Sequence, residues 1–237
     1  ATARAVRSER APTLDGRDDE PVWQNAPLID GFRQFSPAED APTAFRTTVR
    51  VAYDDKNVYV FVRAYDPHPD SIMSLLSRRD VKTNSDQIKI IFDSYHDRRT
   101  GIEMGVNPAG VQRDASIHSD VVEDLSWDGI WDVATRIDSL GWTAEFRVPM
   151  SQLRFNKAEE HTFGFGVWRD IPRVNQRDSW PVYRTSRATL ASQLGDLSGF
   201  RGLGASRRSE LMRYSVTKNV TQLRGTQWAH PQQITAG

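Results

Sequence analysis

Cysteine is absent from the 237 residues, which excludes disulfides, thiolate metal sites and cysteine nucleophiles. The absence is compatible with an oxidising compartment but does not by itself locate the chain. An excess of one charge is missing too. Thirty-one basic residues stand against 31 acidic ones, so no net field draws the chain to nucleic acid or to an anionic membrane. No run approaches the roughly 20 consecutive apolar residues of a membrane-spanning helix. The opening ATARAVRSER has no apolar leader core, so any signal peptide is expected to be absent or already removed. Helical periodicity is nearly missing as well.

What is present suits a water-exposed fold with a filled core: 38% hydrophobic residues, seven tryptophans and 26% charged residues. The length accommodates one large β-sandwich, or one domain of about 200 residues with a tail.

Apolar and polar residues alternate over short runs separated by turn residues, the period-2 pattern of half-buried strands. Val49, Val51 and Tyr53 share one face, the run Asp54-Asp55-Lys56-Asn57 turns the chain, and Val58, Val60 and Val62 line the return strand. Ile88, Ile90 and Phe92 are answered by Ile102, Met104 and Val106 across a polar loop. A second hairpin joins Trp131–Asp138 to Trp142–Val148 through Gly141, which can take the positive φ of a tight turn. Phe163, Phe165 and Val167 alternate with Gly164 and Gly166, and a last strand is expected near Leu194–Phe200. At least eight strands predict an all-β, antiparallel, jelly-roll-like β-sandwich over residues 1–204. Arg173–Ala191 reads as a long loop. Residues 205–237 lose the alternation and read as a linker or the start of a following domain.

Several blocks in register carry a resemblance. Leu14-Asp15-Gly16-Arg17-Asp18-Asp19-Glu20-Pro21-Val22-Trp23, Val49-Arg50-Val51-Ala52-Tyr53-Asp54-Asp55 and Asp86-Gln87-Ile88-Lys89-Ile90-Ile91-Phe92-Asp93 are similar to the opening motif and strands of family 9 carbohydrate-binding modules. The blocks Tyr95–Thr100, Val106–Val111, Trp127–Trp131, Gly141–Pro149 and Leu153–Phe155 resemble a DOMON-type bacterial subgroup in which the module precedes an outer-membrane β-barrel. The resemblance implies a sandwich, a carbohydrate ligand, a barrel in the same chain as partner and a place in the cell envelope. It also implies a pair of tryptophans clamping a terminal sugar. Thr83 and Ala188 stand where those tryptophans are expected.

A sugar site needs aromatic faces for C–H surfaces and planar polar groups for hydroxyls. The candidates are Trp180, Trp168, Trp131, Trp127 and Tyr95, with Arg169 and Asp170 as polar neighbours. Trp180, placed in the long loop, reads as the platform; Trp168 shares a face with Gly164 and Gly166, where missing side chains could leave a groove. Trp23 and Trp142 read as core. An alternative polar site combines Arg169, Arg173, Arg177, Arg184 and Arg187 around an anionic glycan.

No cofactor is expected. The aspartates fit no D-x-D-x-D-G calcium loop, leaving calcium as an unassigned candidate, and five scattered histidines form no zinc motif. G-x-S-x-G, H-E-x-x-H and phosphate-loop patterns are missing. The leading expectation is a non-catalytic glycan-binding module. A structural or gating domain docked on a barrel is the second, and a glycoside hydrolase the distant third.

Overall fold

The computed structural model describes residues 1–204, and the backbone of 215–219, 222–224, 227–229 and 232–236. The chain divides into two compact units, Ala1–Ser206 and Arg207–Gly237.

Among its described residues the first unit is built from fifteen strands and one short α-helix, with five single turns of 3-10 helix. In chain order they are β1 (Thr2–Arg4), β2 (Val6–Arg7), α1 (Pro21–Asn25), β3 (Arg33–Ser36), β4 (Ala41–Pro42), β5 (Thr47–Tyr53), β6 (Asn57–Tyr65), β7 (Gln87–Asp93) and β8 (Gly101–Val106). There follow β9 (Gln112–His118), β10 (Val122–Asp124), β11 (Asp132–Asp138), β12 (Gly141–Pro149), β13 (Glu160–Ile171), β14 (Gln176–Trp180) and β15 (Gly195–Arg201). The larger sheet runs β10-β9-β8-β7-β13-β14-β3-β4, with β15 also on β13 and β1 on β15; the smaller runs β11-β12-β6-β5-β2.

Alternation decides which side chains fill the space between the sheets. Val49, Val51, Tyr53, Val58, Val60 and Val62 of the smaller sheet meet Ile88, Ile90, Phe92, Met104, Val106, Phe163, Phe165 and Val167 of the larger. Trp142 sits fully buried among them. Trp23 is also fully buried, but outside this layer, where α1 presses it onto Phe61 of the smaller sheet at 5.5 Å between ring centroids. Gly141 has φ +134°, and a Cβ there would stand 2.1 Å from the Ala64 carbonyl oxygen, so the β11–β12 turn requires glycine.

Two strand pairs are parallel, β1 on β15 and β2 on β5, so the first seven residues serve both sheets in succession. The expectation of an unbroken loop over Arg173–Ala191 is corrected, since Gln176–Trp180 is a strand between β13 and β3. Its residues escape the apolar pattern because Gln176 and Asp178 are buried polar groups, joined by an amide-to-carboxylate hydrogen bond of 2.7 Å. After β14 the chain crosses the outer face of the larger sheet as a strap, residues 181–194, before entering β15.

The second unit pairs Ser215–Asn219 with Gln232–Ala236 and Gln222–Arg224 with Gln227–Ala229, both antiparallel. The stretch Glu210–Tyr214, which resembles a hand-over to a barrel, lies outside the described residues.

Candidate ligand-binding site

Inward-facing residues on β7 and β13 oblige their neighbours to face outward. Gln87 and Lys89 of β7, and Trp168 and Asp170 of β13, therefore floor a groove of about 800 Å³ on the outer face of the larger sheet. Its lining is completed by the segment 81–86, by residues 111–113, and by the strap through Tyr183, Thr185, Ala188 and Leu190.

The floor sets one aromatic ring among charged and polar groups. Trp168 lies 5.1 Å from Phe35 and 4.8 Å from Tyr183 between ring centroids, and those rings leave it 7% exposed. Lys89 Nζ stands 5.7 Å from the Trp168 ring centroid and 3.0 Å from Glu103 Oε1, which also meets Arg113 Nη1 at 3.2 Å. Arg177 lies over Phe35 at 5.0 Å, while its Nε donates to Asp170 Oδ1 at 3.0 Å. Burial pushes the Tyr183 hydroxyl above its ordinary range, keeping it a neutral donor. Flat rings beside fixed planar polar groups suit a hydroxyl-bearing ring with one apolar face.

Of the seven expected site residues, Trp168 and Asp170 meet in this groove and the other five lie elsewhere. Trp180 is not a loop platform; it ends β14 at 7% exposed, packed towards Phe165 at 6.2 Å. Trp131 is 4% exposed, donates its indole N–H to Asp114 Oδ2 at 2.8 Å and stacks on Phe146. Trp127 is half-buried against Gly129, and Tyr95 is exposed in the β7–β8 loop.

Arg169 is fully buried on the inward face and ties the two sheets together. Its Nη1 donates to the Arg46 carbonyl at 3.0 Å and to Thr47 Oγ1 at 3.1 Å, and Nη2 to the Tyr65 carbonyl at 2.9 Å. Burial lowers its pKa to about 10, against the pull of Asp86 and Asp178. The five arginines do not share one groove: Arg173 pairs with Asp66, Arg177 with Asp170 and Arg184 with Asp40, while Arg187 borders a separate cavity. The space above Gly166 is filled rather than open, since a Cβ there would meet Leu194 Cδ2 at 2.7 Å.

Phe35, Tyr183, Gln87 and Lys89 were not singled out from the sequence. Lys89 carried a signal, a cation within the apolar run Ile88-Lys89-Ile90-Ile91. Phe35 and Tyr183 carried none, because only β-pairing and the path of the strap bring them to Trp168. Thr83 and Ala188, far apart in sequence, both line the groove. Among the described residues no three His, Asp or Glu side chains converge in a way that could hold a metal ion.

Two face-packed antiparallel sheets carrying an aromatic and charged groove on one outer face define a β-sandwich module of the ligand-binding kind. The chain belongs to the carbohydrate family 9 binding domain-like family, which it matches over residues 14–182. Its fold is similar to that of a carbohydrate binding module family 9 from Caldicellulosiruptor kristjanssonii in complex with cellotriose. The identity is 15%, with 90% of this chain and all of that one covered, at a TM-score of 0.61. A module of the same family and organism in complex with glucose is similar at 18% identity, covering 88% of this chain and 98% of the other, at a TM-score of 0.58. No curated protein matches the chain.

Proposed function

We propose that the chain is a non-catalytic carbohydrate-binding module that takes a glycan in the groove over Trp168. The carrying observation is that Thr83 and Ala188, the positions assigned by resemblance to the family's sugar clamp, both line that groove. The cellotriose and glucose complexes of the similar structures support the ligand class. Small residues at both clamp positions leave the groove open-sided, so the half-buried Tyr183 ring and the exposed edge of Trp168 supply the aromatic contact, and Gln87, Asp170 and Arg177 supply hydroxyl partners.

Glycan-array screening followed by calorimetry tests the proposal. Binding to a neutral oligosaccharide that weakens about tenfold in Trp168→Ala, the scale expected for a lost stacking contact, is the expected outcome. Absence of any glycan ligand, or a Trp168→Ala affinity equal to the parent's, overturns it.

The absence of clamp tryptophans favours a second reading, a structural or gating domain docked on an outer-membrane β-barrel in the same chain. The narrower sequence blocks support a cell-envelope setting for either reading. The same glycan screen separates them, because a docking domain retains no free-sugar affinity.

A further inference from the structure

Alternate residues of the strap face different cavities. Tyr183 and Thr185 look into the groove, whereas Val182 and Arg184 border a second cavity of about 440 Å³. That cavity is lined by Arg33, Arg184 and Arg187 together with Trp180 and Pro181, and by no carboxylate. Asp40, outside the lining, fixes two of the guanidinium groups, meeting Arg33 Nε at 2.9 Å and Arg184 Nη2 at 2.6 Å. Arg187 is exposed, and its guanidinium has no ion pair or hydrogen bond among the described residues. Beside it Gly31 leaves open space, with nothing within 4 Å of where a Cβ would stand.

Asp40 and Glu39 offset the charges of Arg33 and Arg184, which leaves Arg187 as the cation of this cavity without a counter-charge among the described residues. A guanidinium matches a carboxylate or sulfate in bidentate fashion. Two of the three are held in place beforehand, which lowers the cost of ordering them around a ligand. Pro181 and Val182, both half-buried, add a small apolar surface beside it. We propose that this cavity is a second binding site, separate from the groove, for an acidic sugar unit, either a uronic acid or a sulfated sugar. Arg187 is its anion-reading residue.

Calorimetry on the full chain tests it with oligogalacturonate, oligomannuronate and a sulfated galactan oligosaccharide. Each is set beside its neutral counterpart and sodium sulfate at matched ionic strength. The expected result is that at least one acidic oligosaccharide binds and that its Kd rises about tenfold in both Arg187→Ala and Arg187→Gln, the scale of one lost charged hydrogen bond. A saturating neutral glycan should leave that binding in place. Failure of every acidic oligosaccharide, indifference to both Arg187 variants, displacement by the neutral glycan, or equally tight binding of sulfate alone each overturns it. Failure of the groove reading shows separately, as the absence of Trp168-dependent binding of neutral glycans.

Discussion

Glu145 is fully buried on the outer face of the smaller sheet, where the opening segment of the family motif lies across it. Its Oε2 accepts the backbone N–H groups of Asp15 at 3.0 Å and Gly16 at 2.9 Å, while Oε1 has no partner. Burial, reinforced by Glu20 and Asp15, outweighs those two donors and raises its pKa from 4.5 to about 7. Between those two values the folded chain keeps a proton that the unfolded chain has released, so stability falls as pH rises through the window. Asp178, pushed up to about 6 by burial, adds a slope of the same sign. Glu145→Gln retains an oxygen acceptor for both N–H groups without the buried charge. It should exceed the parent's stability above pH 7 by about 2–3 kcal/mol and flatten the fall in melting temperature between pH 5 and 8. An unchanged pH slope in thermal melts of the variant would contradict this account. Trp180 carries a second expectation at this scale. Because it is core, Trp180→Ala should cost about 3–5 kcal/mol in denaturant unfolding, and a variant as stable as the parent would return it to the surface.

The strap owes its position to carboxylates at both ends. Asp120 accepts Leu190 N at 2.9 Å and Ala191 N at 3.1 Å on its carbonyl, and Ser192 N at 2.8 Å on Oδ1. At the other end Glu39 accepts Ser186 N at 3.1 Å and the hydroxyls of Ser186 and Thr185. The Ser186 backbone donor holds Glu39, and Arg184 holds Asp40, below the usual carboxylate range, so both anchors weaken only as the medium becomes more acidic than that range. Asp120→Ala removes the Oδ1 anchor and keeps the carbonyl one. Hydrogen exchange at Ser192 should quicken, and glycan affinity should fall a few-fold as Tyr183 and Ala188 lose their fixed distance from Trp168. Unaltered exchange at Ser192 would show that the strap is held elsewhere. None of this was legible in the sequence, because a strap is positioned by isolated backbone donors meeting distant side chains. The alternating strands were legible: β5, β6, β7, β12 and β13 bury the residues that alternation assigned to the core.

At the scale of the molecule, the sandwich buries its own core between residues 5 and 203. We propose that Ala1–Ser206 folds by itself, so a chain ending at 206 should keep its melting temperature, and limited proteolysis should cut first near that boundary. Aggregation of the shortened chain would move the boundary towards the C-terminus. The open-sided groove suggests a gain-of-function test. Thr83→Trp combined with Ala188→Trp adds two aromatic rings to its lining and should tighten terminal-sugar binding about tenfold in calorimetry. No gain with either a mono- or an oligosaccharide would dissociate these positions from the ligand.

The sequence by itself determined the all-β class, the pairing of its most regular strands and the burial of Trp23 and Trp142, because period-2 patterning and turn chemistry are local properties. Motif blocks in register were enough to indicate the family for the same reason. Only the tertiary structure decided which polar residues lie inside, as with Arg169 and Asp178, and which aromatics meet at the groove. It also moved Trp180 from loop platform to core. Those outcomes depend on contacts between segments a hundred residues or so apart, such as Arg169 with Tyr65 or Trp168 with Phe35. A polar strand such as β14 takes its place from its neighbours' unpaired backbone groups, and no pattern within its own five residues records that demand.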